Sequence, residues 1–341
     1  MITYQNVQIV YFSGTGNSRQ LALWFAEAAR NLGLECTVSD MPEVAPKALK
    51  LSEETLLLLI SPVHAFNFPK ITLDFIGALP HGGGKVGLIA ARGGMKVGNV
   101  LTPGLSGAAF WFNSWRLKRK GYKVVAEIPF DLPANCQLIY PAQGDAGIEL
   151  MFEKSRTLAN EFAERLFRGE TLFLAKKDIA QDVLLGPVAL GYYGGGRFSF
   201  AKGLFASSAC IRCWHCAKVC PFKAIENKSG RPFWLLKCQS CMKCMHNCPK
   251  DAIEAGHGLV LATILVTILL AWFGSSAISP HLPRWASGIV IFFAGMSLVQ
   301  IILYRVQHFL LGIPAINRLI TRFSLSNYKF WGRYRRGGKQ I

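Results

Sequence analysis

The sequence predicts an α/β protein. A doubly wound parallel sheet comes first, a compact cysteine module follows, and two membrane-spanning helices close the chain. Three observations carry this expectation. A strand, a hydroxyl- and glycine-rich loop and a helix open an alternating α/β rhythm. Eight of the ten cysteines fall into two copies of one spacing, and two long uncharged stretches lie beyond them.

Residues 7–12 form an apolar, largely β-branched or aromatic run suited to a short buried strand. Ser13, Gly14, Thr15, Gly16, Asn17 and Ser18 follow, and then a helical pattern over 18–32 with Leu21, Ala22, Phe25, Ala28 and Ala29 on its apolar side. Such a loop cradles a phosphate. Glycines let backbone N–H groups converge, hydroxyls add donors, and the helix N-terminus adds partial positive charge. A P-loop would need a Gly-Lys-Ser/Thr ending, and no lysine is present. A dinucleotide fingerprint would need glycine where Arg19 stands. A monophosphate is the better candidate.

Further strands are expected at 34–39, 55–61, 85–91 and 122–128, with helices near 70–79, 105–120 and 145–168. The wholly apolar Leu56 to Ile60 suits a central strand covered on both faces. In a doubly wound sheet the ligand lies outside the carboxyl ends of the strands. The loops at 13–18, 61–69 and 91–98 fall at that edge. The first suits the phosphate. Pro62, Val63, His64, Ala65 and Phe66 in the second, and Arg92, Gly93 and Gly94 in the third, suit a flat ring, which together describes an FMN site. The plainer reading of His64, Phe66 and Phe68 is a loop that buries its own apolar residues. Pro129–Gln143, containing Cys136, is read as a lid or acceptor surface, and Gly191–Gly196 as part of a connector.

The cysteine module repeats C-x2-C-x2-C-x3-C-P with an offset of 28 residues: Cys210, Cys213, Cys216 and Cys220, then Cys238, Cys241, Cys244 and Cys248. This is the spacing of a bacterial-type ferredoxin with two [4Fe–4S] clusters, in which the fourth cysteine of each run serves the other cluster. The expected ligand sets are therefore crossed: Cys210, Cys213, Cys216 and Cys248 for one, Cys238, Cys241, Cys244 and Cys220 for the other. Zinc sites favour two separated C-x2-C pairs, and a disulfide framework suits short secreted domains better than 341 residues. Cys36 and Cys136 read as ordinary semi-buried thiols, and His215 and His246 as surface or supporting residues.

Residues 258–278 and 285–304 carry no charge over 21 and 20 positions. Each is long enough to cross about 30 Å of hydrocarbon at roughly 1.5 Å per residue. Two transmembrane helices in a hairpin are expected, since no third element offers to cover helices apolar all round. Of the net charge of +18, nine Lys or Arg lie in residues 258–341, which contain no Asp or Glu. Arg305, Arg318, Arg322, Lys329, Arg333, Arg335, Arg336 and Lys339 would face the cytoplasm by the positive-inside tendency. The aromatic-basic tail suits anionic membrane lipids rather than nucleic acid.

The Ser13–Ser18 loop after its strand, Ser61-Pro62-Val63-His64-Ala65-Phe66, and the doubled cysteine run resemble the bacterial flavodoxin–ferredoxin fusion family over about residues 5–256. The resemblance implies a flavodoxin-like FMN domain at 1–170, a linker at 171–205 and a two-[4Fe–4S] ferredoxin domain at 206–257; the spans at 258–278 and 285–304 and the basic tail at 305–341 lie beyond it. It implies that Ser13, Thr15, Asn17 and Ser18 hold the FMN phosphate, with Gly14 and Gly16 making the turn. His64 stands where that family commonly has an aromatic, and Arg212 where ferredoxins have glycine.

The resulting expectation is a two-pass protein of the bacterial inner membrane. Both termini and both redox domains face the cytoplasm, and electrons pass between two [4Fe–4S] clusters and FMN and a redox protein partner. One alternative is a membrane-associated flavin reductase of a quinone or another small acceptor. The other is a docking or assembly subunit whose first domain no longer holds FMN. No catalytic triad or carboxylate pair stands out.

Overall fold

The computed structural model describes residues 3–49, 51–98, 100–278 and 284–332, and divides into two compact units. Unit 1 comprises residues 1–134 and 143–190; unit 2 comprises residues 135–142 and 191–341.

Unit 1 begins with β1 (Asn6–Tyr11), α1 (Asn17–Asn31), β2 (Glu35–Asp40), β3 (Thr55–Pro62), α2 (Lys70–Ala78) and β4 (Lys85–Val97). It continues with β5 (Val100–Thr102), α3 (Trp111–Arg119), β6 (Lys123–Pro133), α4 (Asp145–Phe167) and β7 (Leu172–Phe173). The strand order is β2-β1-β3-β4-β6-β7. The successive pairs along that path are parallel, and β5 folds back antiparallel on β4. The order reverses beside β1, between β2 and β3, which is the switch point of a flavodoxin-like doubly wound sheet. Leu56 to Ile60 of β3 are completely buried, because helices cover both faces of this central strand. Phe25 and Phe130 meet edge to face at 6.0 Å between α1 and β6, and Trp24 meets Phe152 of α4 at 5.9 Å.

β4 does not stop at Ala91. It runs on through Arg92, Gly93 and Gly94, which pair in register with Asp131, Leu132 and Pro133 of β6. Residues 172–201, read from sequence as connector, form β7 and then α5 (Ile179–Leu184), α6 (Gly186–Gly191), one π-helical turn over Tyr192–Gly196 and α7 (Arg197–Ala201).

Unit 2 contains β8 (Leu204–Ala206), α8 (His215–Lys218), β9 (Ile225–Lys228), β10 (Arg231–Trp234), α9 (Lys243–His246) and β11 (Ile253–Ala255). The 28-residue repeat is visible in the backbone. α8 and α9 are equivalent, β8 pairs antiparallel with β11, and β9 pairs antiparallel with β10, so each two-stranded ribbon joins one copy to the other. Then come α10 (His257–Ile278), α11 (Arg284–Leu310) and α12 (Pro314–Arg322).

The membrane expectation is corrected here. Among the described residues no helix is long and apolar enough to cross a membrane. This overturns the transmembrane helices at 258–278 and 285–304, the two-pass inner-membrane placement with cytoplasmic termini, and the anionic-lipid partner. Residues 279–283, the turn of the expected hairpin, lie outside the described residues, as do Arg333, Arg335, Arg336 and Lys339.

On α11 the uncharged stretch is not uniformly apolar. The stripe that α11 buries includes Gln300, Tyr304 and Gln307. Gln300 Nε2 donates to the Ser199 carbonyl at 3.0 Å, and the Tyr304 hydroxyl accepts from Trp234 N–H at 3.0 Å. Ser297 Oγ donates to the Gly195 carbonyl at 3.2 Å. On α10, Thr263 and Thr267 are fully buried and donate to carbonyls one turn back. α11 therefore has partners in the 191–201 segment and at Trp234, which the sequence did not advertise as cover.

Candidate functional site

Two groups of residues merit attention, one in each unit. The first lies at the carboxyl edge of the parallel sheet. Ser13, Thr15, Asn17 and Ser18 are all buried, and Gly16 has φ +104°. A Cβ at Gly16 would meet nothing within 4 Å, so the left-handed backbone rather than crowding calls for glycine there. Gly16 N–H donates to Ser13 Oγ at 3.0 Å, and Asn17 Nδ2 ties the loop to the Pro133 carbonyl at the end of β6 at 3.1 Å. No acidic residue occupies the first turn of α1, so its amides face no competing carboxylate. Ser18 Oγ is buried with no hydrogen-bond partner. A buried hydroxyl left unpaired costs about 1–3 kcal/mol, and an anion seated on the loop would relieve that.

The second loop is a tight turn. His64 N–H donates to the Asn67 carbonyl at 2.7 Å and Asn67 N–H to the His64 carbonyl at 3.2 Å, while Ala65 and Phe66 between them have φ +45° and +65°. Two successive left-handed residues are the mark of a type I′ turn, unusual without glycine or asparagine. Asn67 Oδ1 fastens it by accepting from Phe68 N–H at 2.8 Å and from Asn113 Nδ2 at 3.0 Å. Phe68 is fully buried and meets Phe110 edge to face at 6.2 Å, so it is core. Pro62, Val63, His64, Ala65 and Phe66 are only part-buried. Burial pushes the His64 imidazole down to about 4, so it is neutral at ordinary pH.

Arg92, Gly93 and Gly94 serve the sheet. Arg92, 5 % exposed, makes a bidentate pair with Asp131 (Nε–Oδ1 2.6 Å, Nη2–Oδ2 3.1 Å) and donates through Nη1 to Asp178 at 3.1 Å. Burial works against its charge, and the two carboxylates more than restore it, leaving its pKa above the ordinary arginine value. A Cβ on Gly94 would sit 3.1 Å from Asp131 Cβ, and one on Gly93 3.3 Å from Ala134 Cβ.

Sequence reasoning missed the segment at 104–109, which it assigned to the start of a helix. Gly104 N–H donates to Asp131 at 2.8 Å, Gly107 N–H to Asp182 at 2.7 Å, and Ala108 N–H to the Phe66 carbonyl at 2.7 Å. Gly107 has φ +56°, and a Cβ there would lie 2.4 Å from Phe66 Cβ, so this loop rests directly on the turn at 64–67. Ser106 Oγ is buried without a partner. The cluster Pro103-Gly104-Leu105-Ser106-Gly107 was the available signal.

The second group is the cysteine module. Three pairs of non-glycine residues separated by 28 positions share left-handed backbone: Arg212 and Ser240 (φ +58° and +48°), Trp214 and Met242 (both +59°), and Lys223 and Asp251 (+47° and +50°). The departure at Arg212 therefore falls on a position where glycine would be relaxed. Equivalent amides point at equivalent sulfurs. Ala224 N–H donates to Cys220 Sγ and Ala252 N–H to Cys248 Sγ, both at 3.3 Å.

Burial pushes the Cys216 thiol up to about 12, and the nearby charges of Cys210, Cys248 and Cys213 push the same way. Burial likewise raises Cys238 to about 12 and Cys241 to about 11, and each of these senses Cys220. Cys244, raised chiefly by burial, senses Cys238 and Cys241 and, more weakly, Cys216. Of the other cysteines, Cys136 is raised to about 11 by burial, and its side chain packs on the same core.

Among the described residues, no three or more His, Cys, Asp or Glu side chains gather as a site for a metal ion. The earlier expectation of an evident metal centre is corrected to that extent.

Residues 209–253 match the family model described as a 4Fe-4S dicluster domain. No curated protein matches the chain. Solved structures similar to it include oxidised Flavodoxin 1 from Bacillus cereus, at 18 % identity, covering 47 % of this chain and 97 % of that one, with a TM-score of 0.32. A flavodoxin from the domain Archaea shows 16 % identity over 47 % of this chain and 98 % of that one, with a TM-score of 0.30. Two-electron reduced Megasphaera elsdenii flavodoxin shows 19 % identity over 46 % and 98 %, with a TM-score of 0.29.

The resemblance to a flavodoxin–ferredoxin fusion family with a transmembrane hairpin is thereby replaced by two separate statements. The first unit has a flavodoxin-like fold, and residues 209–253 carry a 4Fe-4S-type signature.

Proposed function

We propose that this chain is an electron-transfer protein whose second unit holds two [4Fe–4S] clusters and whose first unit holds FMN. The observation that carries this reading is the duplicated cysteine run, with its left-handed positions and sulfur-directed amides repeated 28 residues apart. Cys210, Cys213, Cys216 and Cys248 would hold one cluster, and Cys238, Cys241, Cys244 and Cys220 the other.

Ser13, Thr15, Asn17 and Ser18 would receive the FMN phosphate on the N-terminus of α1, with Gly14 and Gly16 shaping the loop. The buried, unpartnered Ser18 hydroxyl supports this fit. The turn Pro62–Phe66 and the Gly104–Gly107 segment would border the ring, where neutral His64 offers a flat face and Ser106 a free hydroxyl. Arg92 contributes by holding Asp131, which in turn holds Gly104.

When bound, the clusters supply one-electron steps and the flavin one- or two-electron steps, and the residues around them set orientation and potential. An anaerobic reductive titration with dithionite tests the reading. About four electrons per chain are expected, one for each cluster and two for FMN. Uptake of about two, with no flavin bleaching, would remove FMN from the account. No uptake would sink it entirely.

A further inference from the structure

α10 has one face turned inward and another left open. Leu259, Thr263 and Thr267, a turn apart from one another, are buried. A Cβ on Gly295 would stand 3.9 Å from the Thr267 methyl, so this stripe faces α11. Both threonine hydroxyls are spent within the helix, Thr263 on the Leu259 carbonyl at 2.8 Å and Thr267 on that of Thr263 at 2.7 Å.

At about 100° per residue, Leu261, Leu265, Ile268, Leu269, Trp272 and Phe273 fall within an arc of roughly 140° on the other side of the helix. All six are between 48 % and 77 % exposed. Leu261, Leu265, Ile268 and Trp272 follow at intervals of four, three and four, which is the seam by which one helix packs along another. No Asp, Glu, Lys or Arg occurs between residues 257 and 278.

The six side chains leave roughly 700 Å² of mainly apolar surface in water, more than the about 300–600 Å² of the largest patch on a typical monomer. Two such faces brought together would bury about 1,400 Å², within the about 1,200–2,000 Å² of a stable, specific interface. The chemistry of the face selects its occupant. It offers no cation to an acidic partner and no anion to a basic one. A leucine and isoleucine seam does complement a copy of itself, because the same residues meet across a twofold axis.

We propose that the α10 face carrying Leu261, Leu265, Ile268, Leu269 and Trp272 is an interface between two copies of this chain. The pairing is independent of which cofactors the chain holds. With a net charge of +18, each copy repels the other at long range. Salt screens that repulsion and leaves the apolar contact in place, so the pair tightens as salt rises.

Sedimentation equilibrium of the full chain in detergent-free buffer, at low and high sodium chloride, tests this. The parent should approach twice the chain mass, more completely at high salt. Leu265→Ala should weaken the pair about 10- to 100-fold. Leu265→Gln combined with Ile268→Gln should give monomer with an unchanged far-ultraviolet circular dichroism spectrum. Leu184→Gln, which removes an exposed leucine of unit 1, should sediment like the parent. If the double variant loses helical signal, Leu265→Ala and the salt series carry the same test. A parent that stays monomeric at high salt, a dimer indifferent to the changes at Leu265 and Ile268, or a dimer that salt dissociates would overturn the proposal. So would a monomer that floats with phosphatidylcholine vesicles, since lipid would then cover the face.

Discussion

Replacing Arg92 by methionine takes away the guanidinium that Asp131 and Asp178 share. The arginine side chain is 5 % exposed, whereas the two carboxylates are 38 % and 26 % exposed. Deleting one partner of a fully buried ion pair costs about 3–5 kcal/mol, and an exposed pair is worth about 0–1. A buried cation between partly hydrated anions falls between these limits, at roughly 2–3 kcal/mol. For a unit of about 180 residues, each kcal/mol moves Tm by about 2–4 °C, so Arg92→Met should melt about 5–10 °C lower. Thermal unfolding of the full chain followed by circular dichroism reads this. Arg165→Met, which removes exposed pairs with Glu161 and Glu170, serves as the reference and should stay within about 2 °C of the parent. If Arg92→Met also melts within about 2 °C of the parent, the clamp is not what ties β4 to β6 and to the 174–178 turn.

Other consequences can be tested with equally simple variants. Folding lowers the His64 pKa to about 4 from an ordinary 6.5. The unfolded chain therefore binds the proton more readily; the contribution is complete above pH 6.5 and is lost as pH falls toward 4. The loss should reach roughly 2–3 kcal/mol, discounted for partial exposure of the ring, and His64→Gln should flatten that part of the urea-stability profile. Ser18→Ala should weaken FMN binding about 10- to 100-fold in fluorescence titration, the worth of a hydrogen bond to a charged group; unchanged affinity would detach Ser18 from the phosphate. Cys216→Ser should lose about half of the bound iron, whereas Cys36→Ser should lose none.

What the sequence disclosed follows physical lines. The central strand at Leu56 to Ile60 was readable because a strand buried on both faces is apolar at every position. The cysteine repeat was readable because thiols at fixed spacing have few other uses. β4 was harder to bound. Arg92-Gly93-Gly94 looks like a loop until Asp131 and Asp178, 39 and 86 residues away, supply the counter-charges that allow arginine into the sheet. The Gly104–Gly107 segment was hidden for a similar reason, since its anchors Asp131 and Asp182 are distant carboxylates accepting backbone N–H groups.

The length and apolar character of the stretches after residue 256 suggest membrane spans, but α11 carries buried polar side chains. Gln300, Tyr304 and Gln307 are uncharged, but their buried polar atoms need partners. Gln300 and Tyr304 find them on Ser199 and Trp234. Tyr304 and Lys202 meet around Trp234 only after three distant parts of the chain have come together.

The central claim is that this chain carries two iron–sulfur clusters and one flavin, and cofactor content tests it most directly. Iron, acid-labile sulfide and extracted flavin should be measured by mass on anaerobically purified full-length protein. About eight irons, about eight sulfides and about one FMN per chain are expected. Protein with intact fold but neither iron nor flavin would contradict the account, and iron without flavin would confine it to the second unit.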